Sequence, residues 1–219
     1  MHGYLSNKQS FCYQTAFFSR DFIVHALDLK GFGENTGMEY PYSLDDYIAD
    51  LEKFVHDNGI EKPHVIAHSF GGRIAIKLAS KNPEFFDKIV LTGSAGLKPK
   101  RTLKYRLKKL LFWVVKPFLK GKKPKFFYSK DYLSLDSVMK KSFVKIVNEH
   151  LDENSKKIQN KTFIVFGDKD KETPVYMAKR LNKNIKNSKL LFIKGAGHFC
   201  FIDSPEKFNW EVREFLLSK

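Results

Sequence analysis

The sequence predicts an α/β fold, a mostly parallel sheet with helices on both faces. Two patterns carry that reading. Five short apolar runs have the length of buried strands, and segments with helical periodicity fall between them. A third observation sets the scale. The chain has 219 residues, 42% hydrophobic and 15% aromatic, enough for one domain with a real core, alone or carrying an insertion. That composition excludes an intrinsically disordered chain despite a net charge of +15.

The elements follow in chain order. Residues 22–27 (FIVHAL) read as the first strand. Leu44, Tyr47, Ile48, Leu51 and Val55 then recur at helical spacing, with Ser43 before them as N-cap. Residues 63–67 (PHVIA) form the second strand. Ile74, Leu78 and Ala79 mark a helix that ends near Asn82-Pro83. Residues 88–92, 162–166 and 190–193 complete the strands. Ser204-Pro205 gives the last helix an N-cap and a first-turn proline, and Phe208, Val212, Phe215 and Leu216 share one of its faces. There is no internal repeat and no low-complexity linker.

One segment breaks the alternation. Between positions 98 and 145 there are 16 Lys and Arg against two acids, Asp131 and Asp136, so nearly the whole net charge sits there. The segment carries two apolar stripes. The first is Leu103, Leu107, Leu110, Leu111 and Val114, closed by Pro117. The second is Val138, Met139, Phe143, Ile146, Val147 and Leu151. Helices without an intervening strand imply a cap inserted into an α/β body. The expected organisation is a body over 1–97 and 156–219 with a basic helical cap over 98–155. Charge confined to one insertion, with no nucleic-acid-reading motif, argues against a nucleic-acid partner.

No apolar run approaches 18 residues, so no membrane-spanning helix is expected. The start, MHGYLSNKQS, lacks the charged-then-apolar pattern of a secretory signal. Cys12 and Cys200 fit no metal spacing. Reduced thiols in a cytoplasm, no metal and no cofactor are the expectation, with Cys200 structural although it lies two residues past a histidine.

The sharpest chemical signal is Val65-Ile66-Ala67-His68-Ser69-Phe70-Gly71-Gly72. A strand runs into a serine, small residues and a helix, as in the G-x-S-x-G nucleophile elbow with Ala67 in place of the first glycine. The bland alternative is a serine capping a helix after a glycine-rich turn. A serine nucleophile needs a base, and His198 in Gly195-Ala196-Gly197-His198 follows the last strand on a loop of small residues. The other histidines are weaker candidates: His25 within a strand, His56 and His150 on helices, His64 opening a strand, His68 beside the serine. An orienting acid comes from Gly167-Asp168-Lys169-Asp170, where Asp170 is the candidate and Asp168 its competitor, with a turn or a salt bridge as the alternative role for Asp168. All three lie just past strand C-terminal ends, where open α/β sheets place their sites.

At these residues the chain resembles the α/β-hydrolase superfamily of Ser-His-Asp enzymes, esterases and lipases among them. The matching stretches are HGYLSNKQSF at 2–11, DLKGFGEN at 28–35, HSFGGRIA at 68–75, GDKDKETP at 167–174 and GAGHF at 195–199, in the family's order and across nearly the whole chain. The resemblance implies a triad of Ser69, Asp170 and His198, with Asp170 preferred because it stands three residues past the strand-ending glycine. It implies an oxyanion hole from the Tyr4 and Phe70 main-chain N–H groups, with His2-Gly3-Tyr4 as the HG-x turn. Asp28 and Gly31-Phe32-Gly33 match a loop supporting the pocket, and 98–155 match a mobile cap. In the family a central strand precedes the HG turn. The expectation here is that this strand and those before it are missing, and that the gap falls between 22–27 and 63–67.

The leading function is a serine hydrolase that cleaves a small-molecule ester or related acyl compound through an acyl-enzyme. Carbon–carbon hydrolysis and perhydrolysis use similar sites and stay open, whereas a haloalkane dehalogenase would need an aspartate at the elbow. The rival class is a non-catalytic scaffold or an inactive N-terminally truncated fragment. The expected partner is a small acyl substrate. Weak peripheral membrane contact is a further option, because residues 110–115 (LLFWVV) are flanked by Lys104, Arg106, Lys108, Lys109, Lys116 and Lys120. The alternative buries that run on the body beneath a solvated lysine face.

Overall fold

A computed structural model describes residues 1–100, 132, 133 and 135–218. Among them, four strands form one sheet in the order β1-β2-β3-β4. These are β1 (Val65–His68), β2 (Ile89–Thr92), β3 (Thr162–Gly167) and β4 (Ser188–Ile193). Every pairing is parallel, with Val65 opposite Ile89, Ile89 opposite Thr162 and Thr162 opposite Ser188. The strands are short and apolar because both faces are covered. Ile89, Leu91, Ile164 and Phe166 pack with α2 (Leu44–Asp57), α3 (Phe70–Lys81) and α6 (Val175–Asn184). Their neighbours Val90, Phe163 and Val165 face the other way, onto α1 (Cys12–Phe18), α7 (Cys200–Asp203) and α8 (Pro205–Leu217).

Local chemistry starts and stops these elements. The Ser43 hydroxyl accepts from the Asp46 N–H while the Asp46 carboxylate accepts from the Ser43 N–H at 2.6 Å, a reciprocal capping box that opens α2. α3 ends at Asn82 before Pro83. The second apolar stripe lies on α4 (Ser137–Asn148), capped by Asp136, except for Leu151, which falls past the helix end and precedes α5 (Asp152–Lys157). α5 sits against the body through Asn154 to Ser80 and Asn184 to Ser155, each 2.8 Å. The first stripe, Leu103 to Val114, and the run at 110–115 lie outside the described residues.

Two long-range polar contacts lock the face built from α1, α7 and α8. The buried Gln14 amide donates to Phe201 O at 2.8 Å and to Asn209 Oδ1 at 2.9 Å. The buried Lys88 ammonium donates to Phe215 O, Leu216 O and Ser218 O, the free carbonyls at the end of α8.

Three expectations are corrected. Residues 22–27 form no strand. A strand needs a hydrogen-bonded neighbour, and a cavity of about 560 Å³ lies between this segment and residues 63–66. On the edge of β1 away from β2, Met1 alone among the described residues pairs with the ladder, its amino group donating to Ile66 O at 2.7 Å and its carbonyl accepting from His68 N at 3.0 Å. His150 lies between α4 and α5 rather than on a helix, because the chain leaves the helical path at Glu149. Ser204 precedes α8, but its side chain makes no capping hydrogen bond there; its backbone sits at φ −144°, ψ 67°, away from the extended conformation of a capping serine. Conversely, α1 and the 3-10 turn before it (Lys8–Phe11) were not anticipated; their only sequence trace is Phe11 and Phe18, seven residues apart on one face.

Ser43→Ala removes one arm of the capping box. It should lower unfolding stability by about 1 kcal/mol, read as a shifted urea midpoint at unchanged slope; an unmoved midpoint would contradict the role assigned to the box.

Candidate active site

The turn from β1 into α3 holds Ser69 at φ 48°, ψ −104°, in the left-handed region that costs a non-glycine residue about 1–3 kcal/mol. The surroundings enforce it. Ser69 N donates to Thr92 O, and Ser69 O accepts from Gly72 N and Ala95 N, each at 3.1 Å. The hydroxyl therefore leaves the C-terminal edge of the sheet while Phe70 opens α3. As the first helical residue, Phe70 has an N–H with no intrahelical acceptor.

The N-terminal turn docks onto this elbow. Gly71 N donates to His2 O at 3.1 Å, and a side chain at Gly71 would collide with Met1 O, only 2.7 Å away. A methyl group at Gly3 would stand 3.3 Å from Ser69 Cβ. Tyr4 thus follows directly on the residue packed against the serine. His2 is buried, and burial lowers its pKa to about 4. Its Nδ1 lies 2.7 Å from Gly3 O and its Nε2 accepts from Leu29 N at 3.0 Å. Asp28 accepts from Lys8 N at 2.6 Å and Glu34 N at 3.0 Å, which ties the 28–35 loop to the same turn.

His198 and Asp170 meet on the far side. Both follow strands, β4 and β3, and their loops come together because Gly167 has no side chain: a Cβ there would lie 2.2 Å from the Ala196 and Gly197 carbonyls. His198 Nδ1 is 2.9 Å from Asp170 Oδ2. The aspartate side chain is fully buried and the histidine 14% exposed. Asp170 also accepts from Glu172 N, Thr173 N and the Thr173 hydroxyl at 2.7–2.9 Å. Burial opposes its ionisation, but the hydrogen bonds from His198 and Thr173 outweigh burial and hold its pKa below the usual carboxylate range. Asp168 is elsewhere, its Oδ1 accepting from Gly195 N at 2.7 Å as a turn brace.

Nδ1 of His198 faces Asp170, and among the described residues its Nε2 has no hydrogen-bond partner. Gly93, directly after the Thr92 that pairs with Ser69, lies under the His198 ring, where an added Cβ would be 3.1 Å from Nδ1. No hydrogen bond joins Ser69 to His198 among the described residues.

Two neighbours escaped sequence reasoning. Thr173 fixes the Asp170 carboxylate and also lies 3.3 Å from His198 Nδ1; its one trace was membership of the GDKDKETP stretch. His68, noted only as flanking the serine, is buried with its pKa lowered to about 3, chiefly by burial. Its Nε2 donates to His198 O at 3.1 Å, so it braces the histidine loop from beneath. Cys200 is buried against Thr92 Oγ1, 3.2 Å away, and burial pushes its thiol up to about 11. Among the described residues no cluster of His, Cys, Asp or Glu could hold a metal ion, and no helix is long and apolar enough to cross a membrane.

The chain belongs to the alpha/beta hydrolase fold family, whose model matches residues 1–126; a second model, for TAP-like proteins, matches residues 142–219. The hydrolase YugF of Bacillus subtilis is 23% identical over 252 aligned positions, covering 99% of this chain and 88% of YugF. The esterase EaEST from Exiguobacterium antarcticum superposes with a TM-score of 0.79 at 21% identity, covering 100% of this chain and 90% of its own. The meta-cleavage product hydrolase CumD of Pseudomonas fluorescens superposes at 0.75 and 23% identity, covering 99% and 89%. At these identities the two superpositions speak for the fold.

Two outcomes test this geometry. A carboxylate with a depressed pKa contributes stability above its unfolded pKa of about 3.9 and loses it as pH falls through the lower folded value. Asp170→Asn should therefore destabilise the protein at pH 7, and the gap to wild type should close below about pH 4 in urea titrations. For the thiols, a disulfide reagent should modify exposed Cys12 in the native protein and reach Cys200 only after denaturation.

Proposed function

We propose that the protein is a serine hydrolase acting on a small-molecule ester or related acyl compound. The observation that carries the reading is the buried Asp170 carboxylate 2.9 Å from His198 Nδ1, on the same sheet edge as a serine held in a strained elbow. His198 Nε2 takes the proton of the Ser69 hydroxyl as Oγ attacks the acyl carbonyl. Asp170 holds the imidazole in the tautomer that leaves Nε2 basic and stabilises the imidazolium that forms. The main-chain N–H groups of Tyr4 and Phe70 receive the developing oxyanion, one such donor being worth about 2.7–4 kcal/mol. The imidazolium gives its proton to the leaving alkoxide. His198 then activates water to release the acyl group from Ser69, which restores the enzyme. Every proton and bond is accounted for by the chain, the ester and one water.

Residues 98–155 act as a cap in this reading. The support is α4, whose Phe143 ring lies 5.2 Å from the Tyr4 ring and whose Met139 carbonyl accepts from the Tyr4 hydroxyl at 3.3 Å. The EaEST likeness favours ester chemistry; CumD, named for cleaving a meta-cleavage product, keeps carbon–carbon hydrolysis as the second reading on the same residues.

A fluorophosphonate probe should label the folded chain at Ser69, and Ser69→Ala should abolish the label. Across a panel of acyl esters, Asp170→Asn should lower kcat on the order of 10⁴-fold. Folded protein that neither labels nor turns over any ester would overturn the proposal and leave a binding scaffold.

A further inference from the structure

The Asp170–His198 pair has a third member, which the proton transfers above do not use. Thr173 is buried and stands immediately before Pro174, the N-cap of α6. The residue before a proline is biased to extended backbone, so the Thr173 side chain starts from a fixed place.

The donors around Asp170 fall into two kinds. A carboxylate offers about four lone-pair positions, two on each oxygen. Oδ1 is served by main chain alone, Glu172 N at 2.9 Å and Thr173 N at 2.8 Å. Any residue except proline would supply those two bonds. Oδ2 is served by side chains, the Thr173 hydroxyl at 2.7 Å and His198 Nδ1 at 2.9 Å. The hydroxyl oxygen and Nδ1 are themselves 3.3 Å apart. Three heteroatoms therefore form a closed triangle, with Thr173 Oγ1 at one corner.

Protons decide what that triangle does. An ionised carboxylate brings none. The hydroxyl brings one, and it points to Oδ2 along the shortest side. The other two sides can then be served only by a proton on His198 Nδ1. Without it, lone pairs on Nδ1, Oδ2 and Oγ1 would face one another in a buried setting, where unpaired polar atoms cost most. A neutral imidazole with its proton on Nδ1 carries an acceptor lone pair on Nε2. The hydroxyl also fixes the carboxylate plane. Two donors on Oδ1 hold that atom and leave Oδ2 free to swing about it; a donor on Oδ2 stops the swing.

We propose that Thr173 is a positioning residue for proton transfer at His198: its hydroxyl pins Asp170 Oδ2 and, by directing its single proton there, selects the His198 tautomer protonated on Nδ1. The use made of that tautomer rests on the serine-hydrolase reading; the placement of the proton does not.

The test uses the full chain with nitrogen-labelled histidine, read by NMR in mildly alkaline buffer, where imidazoles are neutral. The His198 signals, assigned by their loss in His198→Gln, should show a protonated Nδ1 and an unprotonated Nε2. The opposite tautomer in the wild type would overturn the proposal before any Thr173 variant is made. Thr173→Val keeps the main-chain N–H and nearly the same side-chain shape but removes the hydroxyl, whereas Thr173→Ser keeps it. Exchange of the Nδ1 proton with water should quicken at least about tenfold in Thr173→Val and stay near wild type in Thr173→Ser. On an ester that the wild type hydrolyses, Thr173→Val should lower kcat about ten- to a hundredfold at nearly unchanged KM, and Thr173→Ser should retain most of the rate. Unchanged proton exchange in folded Thr173→Val, or a Thr173→Ser as impaired as Thr173→Val, would overturn the proposal and leave Thr173 a turn residue. A wild type that hydrolyses no ester would overturn the hydrolase reading instead, and the NMR readouts would still decide the role of Thr173.

Discussion

Steric access at the C-terminal edge of the sheet is the constraint on which the rest of the structure depends. Four loops converge there from distant parts of the chain in two pairs, and each pair meets at a position where no side chain fits. Gly71 admits the carbonyls of Met1 and His2, and Gly167 admits those of Ala196 and Gly197. Without the second contact, the His198 loop would stand away from the end of β3 and the 2.9 Å approach to Asp170 would be lost. The polar geometry of the site is thus downstream of backbone packing, and the hydrogen bonds refine positions that close approach has already set.

Burial then divides the histidines by role. His2 and His68 have their pKa values pushed down to about 4 and about 3 by desolvation, so each is a neutral imidazole that serves as a fixed donor–acceptor post. His2 braces the turn before Tyr4, and His68 holds the carbonyl of His198. His198 differs because a buried carboxylate faces one of its nitrogens. One residue type thus takes two kinds of setting, and the difference lies in the neighbour rather than in the ring.

Much of this was legible in the sequence because short-range rules govern it. β2, β3 and β4 follow from runs such as Ile89–Thr92, and α2 from its apolar spacing behind Ser43. The serine, the histidine and the aspartate stood out because turn chemistry surrounds each of them. What could not be read depends on partners remote in sequence. The run at 22–27 has strand composition, but composition does not reveal whether a neighbour lies alongside. Thr173 and His68 matter through contacts with Asp170 and His198 that only the folded chain assembles. The α1 helix is too short for its periodicity to speak, and tertiary packing on Phe201 and Phe208 decides it.

The contacts of Gln14 and Lys88 with the last two helices also order events in time. Gln14 reaches Phe201 and Asn209, and Lys88 reaches the final turn of α8, across 127 to 195 residues of chain. A ribosome releases this polypeptide from its N-terminus, so α1 and the first parallel pair emerge long before the helix that covers them exists. Until Leu216 is free, Val90, Phe163 and Val165 present an apolar sheet face that lacks its α8 cover. Such a face is a natural target for chaperones and a route to misassembly. For this chain the hazard is concentrated in the interval between completing β4 and docking α8.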